Sequence, residues 1–190
     1  DGRPATQVIL PGAVLGGVFL RQLFNPTPGN SHQFGYSVAA FGNLGVVGVP
    51  FDDIGGIDAG SVYLFDLSSG QLLRTINNPL PQNSSWFGYS VAITNEFVVV
   101  GAPLHDEAGV FDAGAVYVFD LRGTTHKFLI KPGTLGTCDQ FGFSVAISGG
   151  LVAVGAPFHE ERGACNAGAA YVFDARTGEL IGTFRRSPPV

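Results

Sequence analysis

Three acidic loops carry most of the side chains in this chain that could do chemistry. Carboxylates and imidazoles bind cations and transfer protons, so clusters of them are the first places to look for a site. We interpret these loops as a rim that could recruit a cation, a basic partner or a sugar. Its members are Asp52, Asp53 and Asp58, then His105, Asp106, Glu107 and Asp112, and finally His159, Glu160, Glu161 and Asn166.

Turn chemistry and solvation compete with the rim interpretation. Asp and Asn before Ala-Gly commonly cap tight turns by bonding to nearby backbone amides, and we expect this of Asp58, Asp112 and Asn166. We expect the other carboxylates to be solvated. Ca²⁺ at the same loops is the alternative, although the spacing is not that of a known calcium loop. His105 and His159 lack the spacing of a zinc site, and we interpret them as surface histidines.

A repeated Gly-x-Ser pattern could suggest a nucleophile. It contains Ser37, Ser90 and Ser144, but a nucleophile elbow needs a turn from a strand into a helix. The pattern also recurs three times at a fixed spacing, which indicates architecture. We therefore predict no catalytic residue, no resident cofactor and no enzymatic activity.

The loops belong to a unit that the chain repeats three times. Each copy has Phe-Gly, then Gly-Ala-Pro or Gly-Val-Pro, then Ala-Gly followed by a strand-like run that ends in Phe-Asp. The copies begin at Phe34, Phe87 and Phe141, which gives a period of 53 and then 54 residues. A period near 50 with strand-like content is typical of propeller blades.

Each copy contains four candidate strands, which the second copy shows most clearly. We predict strands at 89–93, 97–100, 115–121 and 127–130, separated by short polar turns. No segment has a sustained period of 3.6 residues, so we predict an all-β fold with essentially no helix. Four antiparallel strands per unit, stacked radially, form the blades of a β-propeller.

The predicted blades do not add up to a closed ring. Residues 1–33 align with the second half of a copy and form an incomplete N-terminal blade with its connection. Blade 1 spans 34–86, blade 2 spans 87–140, and blade 3 with a C-terminal tail spans 141–190, all in one continuous β domain. About three and a half blades are expected, as part of a larger propeller or of one that other copies complete.

Phe-Gly followed a dozen residues later by Gly-Ala-Pro resembles the FG-GAP repeat of integrin α subunits and of many bacterial extracellular proteins. The resemblance covers residues 34–184, and the longer signature is most similar to the bacterial branch. It implies a β-propeller with ligands on the face that carries the three loops. The integrin calcium loop is not carried over, because the turns at 41–45, 94–96 and 148–150 are short and almost free of carboxylates.

Composition excludes several partners and leaves the compartment to weaker signals. The net charge of −5 and the lack of a basic aromatic cluster exclude nucleic acid as an expected partner, and no apolar run is long enough for membrane insertion. The chain has no Met, so we expect a processed or partial chain whose signal peptide is removed or lies outside it. A disulfide between Cys138 and Cys165 would fit an extracellular or cell-surface location. Asn83 begins a glycosylation sequon, relevant only in a secreted eukaryotic protein.

These observations favour a non-enzymatic extracellular propeller segment for adhesion or protein assembly. Its partners would be other protein chains or further copies of itself, because terminal blades with open faces expose apolar surface. Two alternatives remain open: a lectin-like propeller that binds glycans, and an accessory domain of a secreted hydrolase.

Overall fold

The structure is a computed structural model that describes residues 22–123, 126–130, 135–161 and 166–185. Within these ranges it contains β-strands and turns without any helix, so no described helix is long and apolar enough to cross a membrane. The all-β prediction is confirmed. The strands are β1 (Ser37–Phe41), β2 (Leu44–Val49), β3 (Ser61–Asp66), β4 (Leu72–Asn77), β5 (Ser90–Ile93), β6 (Phe97–Ala102), β7 (Ala115–Asp120), β8 (His126–Ile130), β9 (Ser144–Ser148), β10 (Leu151–Ala156), β11 (Ala169–Asp174) and β12 (Leu180–Arg185).

Each sequence copy forms one antiparallel sheet of four strands in chain order. The strands predicted in the second copy are confirmed, with ends that shift by one or two residues. The outer hairpin of every sheet also carries a register shift at the same place, after Leu64, Val118 and Val172. The sheets are therefore three copies of one propeller blade.

The middle blade buries both of its faces, which explains its uninterrupted apolar strands. Val98 and Val100 pack with Val46 and Leu64 of blade 1. Val99, on the opposite face of the same strand, packs with residues of blade 3. A strand covered on both sides needs apolar residues at every position and not only at alternate ones.

The blades are arranged around their first strands, since β1 lies against β5 and β5 lies against β9. The Phe-Gly turns before β5 and β9 are hydrogen-bonded to the preceding blade. The Phe87 amide donates to Ala59 O at 3.2 Å, and the Phe141 amide donates to Ala113 O at 3.0 Å. The repeated motif thus serves the contact between blades.

The predicted incomplete blade at 1–33 falls largely outside the described residues. Residues 22–33 contain no strand, and Leu23 packs against the face of blade 1 that contains Val49 and Tyr63. The blade boundaries and the number of blades in a closed ring stay predictions.

Candidate functional site

The first rim position of each loop is buried, contrary to the prediction. Asp52, His105 and His159 follow the proline of their copies at equivalent positions, and all three are buried. The prediction of surface histidines is wrong, as is the prediction that Asp52 is solvated. The physical reason is that the loop folds inwards over the tyrosine of the third strand; the His105 and His159 rings lie 6.2 and 6.3 Å from the rings of Tyr117 and Tyr171.

In blade 1 the buried carboxylate is held by hydroxyl groups. Tyr63 Oη donates to Asp52 Oδ2 at 2.8 Å, and Thr27 Oγ1 donates to the same oxygen at 2.9 Å. The Thr27 and Tyr63 hydroxyls also contact each other. Because the two hydroxyls have two hydrogens between them, two of these three contacts are hydrogen bonds at any one time. Burial, together with the neighbouring carboxylate, raises the pKa of Tyr63 to about 12. His32 Nδ1 lies 4.0 Å from Asp52 Oδ1, so an acid and a histidine meet beneath this loop.

The loop of blade 3 lies over a pair of the same two residue types in exchanged positions. His159 Nδ1 lies 2.9 Å from Oδ2 of the buried Asp139, which also accepts a hydrogen bond from the Gly136 amide at 2.7 Å. Asp139 lies two residues before the Phe-Gly of blade 3, and His32 lies two residues before the Phe-Gly of blade 1. Neither the pair of His32 and Asp52 nor the pair of Asp139 and His159 was predicted from the sequence. The available signal was that an acid and a histidine exchange places between equivalent positions of two copies.

The second acidic residue of the first two loops caps a turn. Asp53 Oδ1 accepts from the Asp58 amide at 3.0 Å, and Asp106 Oδ1 accepts from the Asp112 amide at 2.9 Å. The capped residues have left-handed backbones, with φ of 52° and 48°, as does Asn166 at 54°. Burial and the charge of Asp106 raise the pKa of Asp112. The prediction names Asp58 and Asp112 as the caps, whereas these bonds make Asp53 and Asp106 the caps, because the amides of Asp58 and Asp112 are the donors. The role of the rim residues in binding a ligand stays a prediction.

The remaining rim members differ in environment. Glu160 is exposed, and Glu161 accepts a hydrogen bond from Arg185 at 3.2 Å. His105 Nε2 lies 3.9 Å from Glu107.

Within the described ranges, no three histidine, cysteine or acidic side chains are grouped as a metal site. The turns at the integrin calcium position do not fit the ion either: Glu96 there pairs with Arg122 at 2.7 Å and with Arg176 at 2.6 Å. Ca²⁺ at the rim stays a prediction.

The two predicted modification sites are described only in part. Cys138 is exposed, but Cys165 lies outside the described residues, and so does the predicted disulfide. Asn83 is exposed, and its Oδ1 accepts from the Ile57 amide at 3.0 Å. Both modifications stay predictions.

A strip of six aromatic rings crosses the three blades. The ring after each Phe-Gly forms its centre: Tyr89 lies 4.9 Å from Tyr36 and 5.0 Å from Phe143. Trp86 stacks on Tyr89 at 5.7 Å and 11°. The strip ends at Phe51, which contacts Tyr36 and Trp86, and at Phe158, which contacts Phe143. The visible signal of this strip in the sequence is the aromatic residue that follows every Phe-Gly.

The outer face of blade 3 is open, and we call it the open face. It contains Leu151, Ala153, Ala170 and Phe184, all exposed. Equivalent residues of the other blades are covered: Phe184 is 66% exposed, whereas Ile76 is 3% exposed and Ile130 is 0% exposed. Among the described residues, this face has no neighbour like the one that covers the same face in blades 1 and 2.

The hydrogen bond that joins neighbouring blades is also incomplete at this face. Ser37 Oγ donates to Gly88 O at 2.7 Å, and Ser90 Oγ donates to Gly142 O at 2.8 Å. Ser144, at the same position, is exposed and has no such acceptor among the described residues. The open face therefore has the hydroxyl that would receive a further Phe-Gly turn.

These blades and the turns between them define a β-propeller-type repeat protein. Residues 28–65, 82–119 and 135–173 match the model of the FG-GAP repeat, and the chain belongs to this family. A comparison with curated proteins gave no match. Among solved structures, the chain is similar to the crystal structure of the computationally designed Ika8 protein, with a TM-score of 0.50 and 19% sequence identity. The match covers 80% of this chain and 36% of that one, and it concerns the fold alone.

Proposed function

We propose that the chain is a non-enzymatic module for protein–protein assembly, and that its open face binds another blade. The observation that carries this proposal is the exposure of Phe184, whose equivalents are the buried Ile76 and Ile130. Covering one such side chain stabilises a contact by about 2 kcal/mol. A sheet face that is apolar at positions buried elsewhere in the same molecule favours a protein partner.

The polar groups of the repeats favour a structural role over a catalytic one. Ser37 and Ser90 donate to glycine carbonyls of the next blade and so join blades to each other. The buried pair of Asp139 and His159 lies beneath a loop, with the carboxylate bonded to a backbone amide. These arrangements support an assembly module, in keeping with a repeat family that is typically non-catalytic.

We place this assembly role outside the cell or at its surface, in adhesion or in the construction of a larger complex. The resemblance to bacterial extracellular repeats supports this location, and a Cys138–Cys165 disulfide would fit it. Thiol labelling of the unreduced protein tests the disulfide. Two reactive thiols would count against an oxidising compartment.

The substitution Phe184→Arg tests the proposed function. It places a charge on the open face at a position that is exposed in the single chain, so we expect the fold to survive. Phe111→Arg is the matched control, because Phe111 is 67% exposed and lies in a loop. We expect light scattering to show association for the wild type and the control, and its loss for Phe184→Arg. Equal masses for all three proteins would contradict the proposal.

The aromatic strip favours glycan binding as a second candidate function. Aromatic faces bind the apolar faces of flat ligands, and the tyrosine hydroxyls add a polar edge. Trp86 is the single tryptophan of the chain and stacks on Tyr89 within the strip, so its fluorescence would report a bound sugar. We expect Tyr36→Ala, but not Phe111→Ala, to weaken any glycan hit. An array without hits would remove this candidate.

A further inference from the structure

The two tyrosines at the surface of this chain lie against each other. Of its five tyrosines, Tyr63, Tyr117 and Tyr171 are at most 1% exposed. Tyr36 is 43% exposed, Tyr89 is half-buried, and their ring centroids are 4.9 Å apart. Aromatic rings at this distance are in direct contact. The accessible phenol groups of the chain therefore form a single pair.

The hydroxyl groups of this pair are neighbours as well. Burial raises the pKa of Tyr89 to about 12, and the Tyr36 hydroxyl beside it adds to the effect. The hydroxyl ends of the two rings therefore lie on the same side of the contact. A tyrosyl radical couples mainly at the ring carbons next to its oxygen, and these carbons of the two rings are brought close together by this arrangement.

The contact between rings occurs twice in the chain, but only one of the two contacts joins two phenols. Tyr36 and Tyr89 follow the Phe-Gly of blades 1 and 2, and Phe143 follows the Phe-Gly of blade 3. The ring of Phe143 lies 5.0 Å from that of Tyr89. A phenylalanine ring has no O–H and does not form a phenoxyl radical. The contact with Phe143 is therefore an internal control for the chemistry of the contact with Tyr36.

Trp86, the single tryptophan of the chain, lies against the same pair. Its ring stacks on that of Tyr89, with 5.7 Å between the centroids and 11° between the planes. Indole is the other aromatic side chain that loses an electron readily, and an indole radical takes a hydrogen atom from a phenol in contact with it. An oxidation that begins at Trp86 therefore ends at the tyrosine pair.

We propose that Tyr36 and Tyr89 are a site of oxidative cross-linking, where a dityrosine bond joins blades 1 and 2. The oxidant is hydrogen peroxide, used by a haem peroxidase that removes one electron at a time. Each phenol loses one electron and one proton, and the two radicals form a carbon–carbon bond. The hydrogen on each newly bonded carbon then moves to the oxygen of its ring. One hydrogen peroxide takes up the two electrons and two protons and becomes two molecules of water.

The cross-link would hold together two blades that share an apolar core. Val98 and Val100 of blade 2 pack with Val46 and Leu64 of blade 1. The two tyrosines are one repeat of 53 residues apart, so a bond between them closes a long loop and restricts the unfolded chain. For a domain of this size, we expect the melting temperature to rise by about 10 °C.

Oxidation of the whole chain at low protein concentration tests the proposal. Thiols are first alkylated, because Cys138 is exposed. The protein is then treated with hydrogen peroxide and a peroxidase, and a parallel sample of N-acetyltyrosine confirms that the oxidant is active. We expect dityrosine fluorescence in the monomer band of a denaturing gel and an intact mass lower by two hydrogen atoms. Peptide mapping should place the link between Tyr36 and Tyr89.

Two substitutions separate this pair from general oxidation. Tyr36→Phe keeps a ring in the contact and removes one phenol, so the monomer should lose its dityrosine and its rise in melting temperature. Adding Phe143→Tyr to that variant pairs two phenols across blades 2 and 3 and should restore the fluorescence of the monomer. An oxidised wild type without dityrosine in the monomer overturns the proposal, whether or not linked dimers form. Equal fluorescence in wild type and Tyr36→Phe overturns it too. Phe184→Arg should cross-link like the wild type, because this site is independent of the open face.

Discussion

The substitution Gly101→Ala probes the contact between blades 2 and 3 with a single methyl group. The new Cβ would lie 2.1 Å from Gly142 O, a backbone atom that moves only with its turn. Forcing extra atoms into a packed contact costs about 3 kcal/mol. The matched control is Gly155→Ala, where the nearest atom is Ser144 Oγ at 2.4 Å, in an exposed side chain that can rotate. There the cost should stay under about 0.5 kcal/mol, offset by the lower entropy of the unfolded chain.

Urea denaturation followed by circular dichroism measures both free energies of unfolding. For a domain of this size, the loss at Gly101 corresponds to a melting temperature lower by about 6 to 12 °C. The melting temperature of Gly155→Ala should stay close to that of the wild type in dilute solution. If the two alanine variants lose equal stability, blade 3 does not dock on blade 2 as described, and the interpretation of the open face fails with it.

Three further predictions concern single polar groups. Ser90→Ala removes the hydroxyl that donates to Gly142 O and should cost about 1 kcal/mol in urea denaturation, whereas Ser144→Ala should cost nothing measurable; equal costs would contradict the contact between blades. His159→Ala removes the partner of the buried Asp139 and should cost about 3 kcal/mol, and a stability like that of the wild type would mean that the carboxylate is solvated. Burial raises the pKa of Tyr63 to about 12, above its value of about 10 in an unfolded chain, so its contribution is complete below about pH 10 and is lost as the pH rises through 12. The urea midpoint should fall over this range less steeply in Tyr63→Phe than in the wild type, and identical slopes would contradict the assignment.

The repeat made the blade architecture predictable from sequence. The three copies predicted the three described sheets. Turn residues such as those at 94–96 predicted the strand ends to within one or two residues. The predicted role of the repeated serines as architecture is also supported, because Ser37 and Ser90 bond to the next blade. Local patterns sufficed here because each strand pairs with its neighbour in sequence.

The environment of the loops was not predictable in the same way. Charged residues are mostly solvated, so Asp52, His105 and His159 were expected at the surface. Their burial depends on the third-strand tyrosine beneath each loop and on partners such as Asp139, which is 20 residues from His159. The aromatic strip was missed for a related reason, since its rings meet only when blades stack side by side.

Surface footprinting at several protein concentrations tests the central claim most directly. A photoactivated carbene labels exposed side chains, and mass spectrometry locates the label on Phe184, Leu151 and the control residue Phe111. We predict that labelling of Phe184 and Leu151 falls as the protein associates, while labelling of Phe111 stays constant. Association that leaves Phe184 and Leu151 fully labelled would contradict the assignment of the open face as the binding surface.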